Sequence, residues 1–167
     1  MEELISAKFA LENLYNKSNV VFIDSTFHLP NSGRNALEEF NSCHIPNARF
    51  FDINKISDQS SDLPHMLPNE VFFSKMVGKL GINNDDTIVA YDNSIFFSSA
   101  RAWWMFKIFG HKNLKIVDGG FKAWKDQGGP LESKKSIFKD TTYVAQKINH
   151  NLYDNLDNIM DDLNSHR

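Results

Sequence analysis

The chain has 167 residues, 41% hydrophobic and 13% aromatic, which suits one globular domain of ordinary size plus a small remainder. Its formal net charge of −3 gives no reason to expect a nucleic-acid or anionic-membrane partner. Because Cys43 is the single cysteine, the amino terminus lacks signal-peptide features and no apolar run reaches the roughly 18 residues of a membrane span, a cytoplasmic location is expected.

The first half of the chain predicts alternating helices and strands. Apolar residues at helical spacing predict a first helix from Leu4 to about Lys17, and "VVFID" (20–24) predicts a strand. A short helix is expected from about Asn35, and a second strand is expected in "ARFFDI" (48–53). The polar, proline-containing stretch 54–68 then predicts a long loop.

The second half continues the alternation. Residues 69–81 predict a helix, with an apolar face listed here: Val71, Phe72, Met76 and Leu80. "DTIVAY" (86–91) predicts a central strand, followed by a helix over 98–110 that opens on serine caps. A strand ("LKIVDGG"), a short helix ("FKAWKDQGG"), the linker "PLESKKSIFKDTT" and a possible strand "YVAQKI" follow. This order predicts an α/β fold with a mostly parallel sheet and helices on both faces.

The tail carries an amphipathic helical stripe, formed by Leu152, Leu156, Ile159, Met160 and Leu163. Since the preceding sheet already has its helices, the stripe favours a domain over residues 1–145 and, over 146–167, a linker and the first helix of a truncated second domain. A terminal helix packed back on the first domain fits the same periodicity.

The loop "DNSIFF" (92–97) joins the central strand to a helix, which is where α/β proteins usually hold reactive groups. A nucleophile there would face the helix amides, which lower the pKa of a thiol. Asp92 occupies that position. A carboxylate can accept hydrogen bonds as a structural plug, but it cannot carry a sulfur or acyl group as a thiolate can.

Other candidates are less specific. Cys43 next to His44 in a turn is more typical of a partly buried structural thiol than of a nucleophile, and no metal-ligand spacing or nucleotide motif occurs. His65, between two prolines, is the best remaining acid or base, although such a histidine more often packs on a neighbour such as Met66 or caps a turn. Arg34 and Arg101 are candidate anion contacts. The alternative is a loop cap for Arg34 and, for Arg101, pairing with a carboxylate such as Asp92 or Asp118.

Five motifs together resemble a known family: "CHIPNARFFDI", "DLPHMLP", "TIVAYD", "SSARAWWMFKIFGH" and "VDGGFKAW". Between about Val20 and Leu131, the chain resembles the first half of the two-domain thiosulfate/3-mercaptopyruvate sulfurtransferases, the tandem rhodaneses. The resemblance implies a rhodanese-like three-layer αβα fold with about five strands. It also implies that this is the catalytically silent copy, with Asp92 at the nucleophile position and Cys43 at that of a turn glycine.

The resemblance further implies a function for the parent protein. Sulfane sulfur would pass from 3-mercaptopyruvate or thiosulfate, through a persulfide on the carboxyl-terminal domain, to cyanide or a thiol acceptor such as thioredoxin, without metal or organic cofactor. His65 would face the catalytic loop across the domain interface, with Asn54 where the family has an acid. The 167-residue chain would be inactive alone. The alternative function is a stand-alone, non-catalytic rhodanese-like module that binds a partner.

Overall fold

The computed structural model describes residues 3–133, 136–154 and 156–165. Lys134 and Lys135 of the predicted linker, and the terminal Arg167, lie outside these ranges. Across the described residues, five strands form one sheet in the order β1-β5-β4-β2-β3, and every pair is parallel. The strands are β1 (Leu4–Ser6), β2 (Val20–Asp24), β3 (Arg49–Phe50), β4 (Thr87–Tyr91) and β5 (Leu114–Asp118).

Helices cover both faces of the sheet, which confirms the αβα architecture. They are α1 (Ala7–Asn13), α2 (Ala36–Ser42), α3 (Ile53–Ile56), α4 (Glu70–Lys79), α5 (Ser98–Ile108), α6 (Gly120–Asp126) and α7 (Leu156–Ser165). Short 3-10 turns cover Pro30–Ser32 and His150–Leu152. None of the helices in the described ranges is both long and apolar enough to cross a bilayer.

Alternation along the central strand creates two cores. In β4, Ile88 and Ala90 join the core under α3, α4 and α5, while Val89 and Tyr91 join the core under α1, α2 and α6. The central strand is therefore apolar on both faces, as expected for a parallel sheet between helices. This leaves the polar groups to collect where the strands end.

The predicted first helix was wrong at its start. Residues 4–6 form an edge strand in which Leu4 pairs with Ile116 of β5 and Ser6 with Asp118. The helix begins at Ala7, with the Ser6 hydroxyl accepting from the amide of Phe9 at 3.1 Å. A three-residue strand is too short to show its own period, so the helical spacing beyond it dominated the pattern.

The possible strand "YVAQKI" is also absent from the sheet. From Thr141 to the end of this segment, the chain lies across α4 and α5 without regular structure. The Thr141 amide donates to the Gly78 carbonyl at 3.0 Å, and the Gln146 amide, within the segment, donates to the Phe109 carbonyl at 2.9 Å. Gly78 permits this contact, because a Cβ there would lie 2.6 Å from the Thr141 carbonyl oxygen. The fifth strand is therefore β1 rather than this segment.

Two amphipathic faces differ from their predicted orientation or partner. In α4, Phe73 and Val77 are fully buried while Val71 is 79% exposed, so the buried face is rotated from the predicted one. In α7, Leu156, Ile159, Met160 and Leu163 are all exposed, so the stripe is not packed back on the core. A second domain beginning in this region stays a prediction.

Candidate functional site at the carboxyl edge of the sheet

The carboxyl ends of the parallel strands bring polar residues together. Asp24 ends β2 in register with Tyr91 of β4, and Asp92 follows directly. The 92–97 loop lies between two cavities that differ in character, one lined by Cys43 and the other by His65. This edge is where ligands bind in open α/β folds.

Asp92 closes the loop from within. Its buried carboxylate accepts from the Ser94 amide and hydroxyl through Oδ1 (3.0 and 2.9 Å) and from the Ser99 amide through Oδ2 (2.8 Å). Ser94 Oγ in turn accepts from the Ser98 amide at 3.2 Å. The predicted serine caps at 98 and 99 are thus wrong, because Asp92 and Ser94 cap α5. These amides donate to the protein's own side chains instead of a ligand.

The backbone of Asp92 is held as firmly as its side chain. Its carbonyl accepts from the Phe121 amide at 2.8 Å, at the start of α6. Gly120 has φ 55°, and a Cβ there would overlap the Asp92 carbonyl oxygen. Only glycine fits this contact without strain, which gives the "DGG" motif a physical role. The first turns of α5 and α6 therefore both converge on Asp92.

On one side of the loop lies the Glu39 cluster, defined here as Glu39, His28, Arg34 and Asn93. The Arg34 guanidinium donates twice to the Glu39 carboxylate, at 2.7 and 2.6 Å. His28 Nε2 (3.2 Å) and Asn93 Nδ2 (3.1 Å) also contact Glu39. The Arg34 hydrogen bonds, with those of His28 and Asn93, lower the Glu39 pKa to about 2. An anion would have to displace Glu39 in order to reach Arg34.

The partly buried Cys43 lines a cavity of about 200 Å³ beside this cluster. Asp24 and Glu39 share the lining, with Lys125 as the lining cation. Burial raises the pKa of Asp24 to about 6, and its Oδ1 accepts from the Thr26 amide (2.9 Å) and hydroxyl (2.5 Å). With two carboxylates against one lysine in its lining, this cavity lacks the positive field that would attract an anionic sulfur donor.

On the other side of the loop lies the His65 cleft, a cavity of about 400 Å³. The residues that line it and carry the argument are Phe27, His65, Phe96, Phe97 and Arg101. Phe97 is 76% exposed, and both His65 (φ 57°) and Phe97 (φ 51°) adopt the left-handed backbone conformation. Such conformations are costly for bulky residues and concentrate at functional positions.

The structure brings His65 and Asn54 together. His65 Nε2 lies 2.8 Å from Asn54 Oδ1, and the imidazole packs edge-on against Phe27 with 4.8 Å between ring centroids. Helix α3, which the sequence did not predict, places Asn54 at its start, where the Asp52 carboxylate accepts from the Asn54 amide at 3.1 Å. Asparagine orients the ring but cannot stabilise an imidazolium as a carboxylate would.

Arg101 makes a contact that sequence reasoning missed. Its Nη2 donates to the backbone carbonyl of His65 at 2.6 Å, and its guanidinium lies 4.4 Å from the Trp104 ring centroid. Among the described residues it forms no ion pair, so the pairing with Asp92 or Asp118 considered above does not occur. Burial lowers the pKa of Arg101. The two arginines predicted as candidate anion contacts thus lie in separate sites.

Metal ligands do not assemble at this edge. Within residues 3–133, 136–154 and 156–165, no group of three or more histidine, cysteine, aspartate or glutamate side chains is arranged to hold a metal ion.

Comparison with known proteins agrees with this architecture. A family model described as "Rhodanese-like domain" matches residues 7–127. The chain is 38% identical over 165 residues to the 3-mercaptopyruvate sulfurtransferase of Mus musculus, covering 92% of this chain and 56% of that protein. It is 40% identical over 135 residues to thiosulfate/3-mercaptopyruvate sulfurtransferase 1, mitochondrial, of Arabidopsis thaliana, covering 81% and 35% respectively.

The fold also matches a solved structure. The crystal structure of SseA from Escherichia coli, described under 3-mercaptopyruvate sulfotransferases, aligns with a TM-score of 0.87 and 30% identity, covering 100% of this chain and 63% of that one. The chain spans between about a third and just over half of the length of the two curated relatives above.

Proposed function

Because the chain belongs to the rhodanese-like domain family, we propose that it is the catalytically silent half of a sulfurtransferase. A second rhodanese domain would carry the cysteine that takes sulfane sulfur from 3-mercaptopyruvate or thiosulfate. The observation that carries the proposal is the buried carboxylate of Asp92, which fills the strand-to-helix loop where the nucleophile would sit. This domain would supply one wall of the cleft.

The proposed chemistry takes place on the other domain. With 3-mercaptopyruvate, the thiolate attacks the sulfur, and the carbon–sulfur bond breaks with its electron pair leaving on the enolate of pyruvate. With thiosulfate, the thiolate attacks the outer sulfur, and the sulfur–sulfur bond breaks with its electron pair leaving on sulfite. The enolate then takes up a proton to give pyruvate. The persulfide passes its outer sulfur to cyanide or to a thiol acceptor such as thioredoxin.

The exposed apolar rim beside the cleft supports a second domain as the partner. Ile95, Phe96 and Phe97 are 78%, 47% and 76% exposed, and Leu63 is 63% exposed. Contiguous exposed apolar side chains on a soluble domain mark interaction surfaces. Trp104 lies nearby, with its indole nitrogen donating to the Leu152 carbonyl at 3.1 Å, so the chain leaves this domain beside α5.

His65 would support the reaction from the interface. Its imidazole is held by Asn54 and Phe27 and lines the cleft that the second domain would close. An oriented imidazole is suited to accept or return a proton near the catalytic loop. We assign it a supporting role, because Asn54 supplies no negative charge to stabilise the protonated ring.

The proposal is tested first on the 167-residue chain itself. We expect no pyruvate from 3-mercaptopyruvate, no thiocyanate from thiosulfate and cyanide, and no persulfide by mass spectrometry. C43S is the matched control and should behave identically. Turnover by the wild-type chain that disappears in C43S would overturn the assignment of Asp92 as the residue at a silent nucleophile position.

The second test uses the product of the complete reading frame. We expect it to contain a cysteine in the equivalent loop of a second domain and to form a persulfide there when incubated with either donor. A complete product that has no such cysteine would instead favour the second candidate, a non-catalytic binding module. The exposed rim and α7 stripe are the observations that favour that candidate.

A further inference from the structure

We infer that Arg101 is a positioning residue for His65: it locks the left-handed backbone of His65 and thereby fixes where the imidazole stands in the cleft. The inference deepens the proposed function and rests on it for its catalytic meaning. Its structural content depends only on the chain described here.

The backbone of His65 is in a strained conformation. With φ 57°, this residue occupies a region that costs a non-glycine residue free energy and that persists only when its surroundings enforce it. Arg101 Nη2, which reaches the His65 carbonyl at 2.6 Å from 36 positions away, is such an enforcing contact. The next residue is held separately, since the Met66 carbonyl accepts from the Asp58 amide at 2.8 Å.

Within the described part of the chain, the Arg101 side chain is partly buried without a carboxylate partner. Its Nε is buried and has no hydrogen-bond partner, and the guanidinium forms no ion pair within the described ranges. Burial of a cation without a counter-ion is destabilising, so ion pairing does not explain this arginine. What it does provide is a rigid fork, placed by its stacking on Trp104, that ends on the His65 carbonyl.

Together the contacts divide the positioning of His65 into three parts. Asn54 holds Nε2, Phe27 packs against the ring in a T-shaped contact and Arg101 holds the backbone. Among the described residues, the other ring nitrogen, Nδ1, receives no hydrogen bond, so it is the nitrogen available to chemistry in the cleft. Removing Arg101 should release the backbone while leaving Asn54 and Phe27 unchanged.

The test is NMR spectroscopy of the folded chain. In the wild type we expect a strong intraresidue HN–Hα NOE at His65, which marks positive φ, and one set of imidazole nitrogen signals. R101M and R101Q should lose the strong NOE and broaden or shift the ring signals. R101K keeps the charge but lacks the planar fork, so it should fall between wild type and R101M.

The controls separate positioning from general destabilisation. K107M removes another cation from the same helix, where Lys107 contacts Trp103 and Glu3, and should leave the His65 signals unchanged. His44 and His111, which are buried and hydrogen-bonded, report whether the rest of the fold is intact.

The outcome that overturns the inference is unambiguous. If every Arg101 variant that folds gives His65 signals superimposable on those of the wild type, Arg101 does not position His65, even if one variant fails to fold. The readout needs no turnover, so it is independent of whether the complete protein transfers sulfur. An inactive complete product would refute the proposed function and leave the Arg101–His65 contact as measured.

Discussion

The two sides of the Asp92 loop are built on opposite principles. On the closed side, the Glu39 carboxylate receives Arg34, His28 and Asn93 together. In the His65 cleft, two bulky residues hold left-handed backbones, Phe97 is largely exposed, and Arg101 is half-buried without a carboxylate. In the Glu39 cluster, the polar groups therefore hydrogen-bond one another and stabilise the fold. The His65 cleft instead holds strained backbone and a cation without a carboxylate partner.

This difference indicates where function would lie in a domain that, as proposed, is catalytically silent. A pocket whose donors and acceptors are already paired internally has little left to offer a ligand, however reactive its loop looks in sequence. Strain and unsatisfied groups persist only where the surroundings enforce them, and they concentrate at functional sites. We therefore expect the cleft, rather than the Asp92 loop itself, to be the working surface of this domain.

Substitution of Asp92, in the loop between the two sides, should have the largest effect on stability. D92A removes the acceptor of two amides and a hydroxyl in a buried setting, so we expect a loss of about 3 kcal/mol in the free energy of unfolding. Urea denaturation at neutral pH measures it. The exposed helix cap Asn69, which accepts from the amide of Phe72 alone, is the control, with about 1 kcal/mol expected for N69A. Equal losses in the two variants would refute the plug.

Asp24 should give the next largest effect, and its sign is opposite. Burial raises its pKa from 3.8 in the unfolded chain to about 6, so the folded state binds the extra proton between those values. Its contribution to stability therefore falls as the pH rises through that window. D24N should abolish this slope and stabilise the chain by about 2 kcal/mol at neutral pH. Parallel pH profiles for the two proteins would contradict the prediction.

Glu39 should show a smaller effect in a lower pH window. Its pKa is lowered from 4.5 to about 2, so its stabilisation is present above the unfolded value and is lost as the pH falls toward 2. Because Glu39 is partly exposed, we expect E39Q to cost only about 1 kcal/mol at neutral pH. E38Q, an exposed neighbour in the same helix, should change little. A larger loss of stability in E38Q than in E39Q would contradict a stabilising role for the Glu39 cluster.

Phe97 should show the smallest effect, because it lies on the open side. Glycine adopts the left-handed backbone of position 97 without strain, and this gain offsets the small loss of apolar burial in F97G. The free energy of unfolding should therefore change by less than about 0.5 kcal/mol. The matched control is F121A, a buried phenylalanine stacked on Tyr91, which should cost about 3 kcal/mol. A comparable loss in F97G would mean that the cleft side carries stability after all.

Elements with a strong local pattern were predictable. Strands β2, β4 and β5 and helices α2, α4, α5 and α6 lie where the hydrophobic period and the glycines indicated, although the predicted serine caps of α5 were wrong. Strand β1 and the irregular segment around Tyr143 were not, because a short edge strand is defined by the backbone groups it pairs with rather than by its own residues. The buried face of α4 was rotated from its predicted orientation because the ring contacts of Phe73 with distant residues set it, and the period of the helix does not reveal them.

By itself, the sequence determined the family, the alternation of strands and helices, and the acid in the loop after β4. The family resemblance implied that Asn54 serves His65, and the structure shows the contact between them. Tertiary structure alone decided that Arg34 is occupied by Glu39 and that Arg101 ends on a backbone carbonyl. The reason is physical. Secondary structure follows from patterns within a few residues, whereas a hydrogen bond from a side chain to a group 11 or 36 positions away depends on distances and angles that only the packed chain sets.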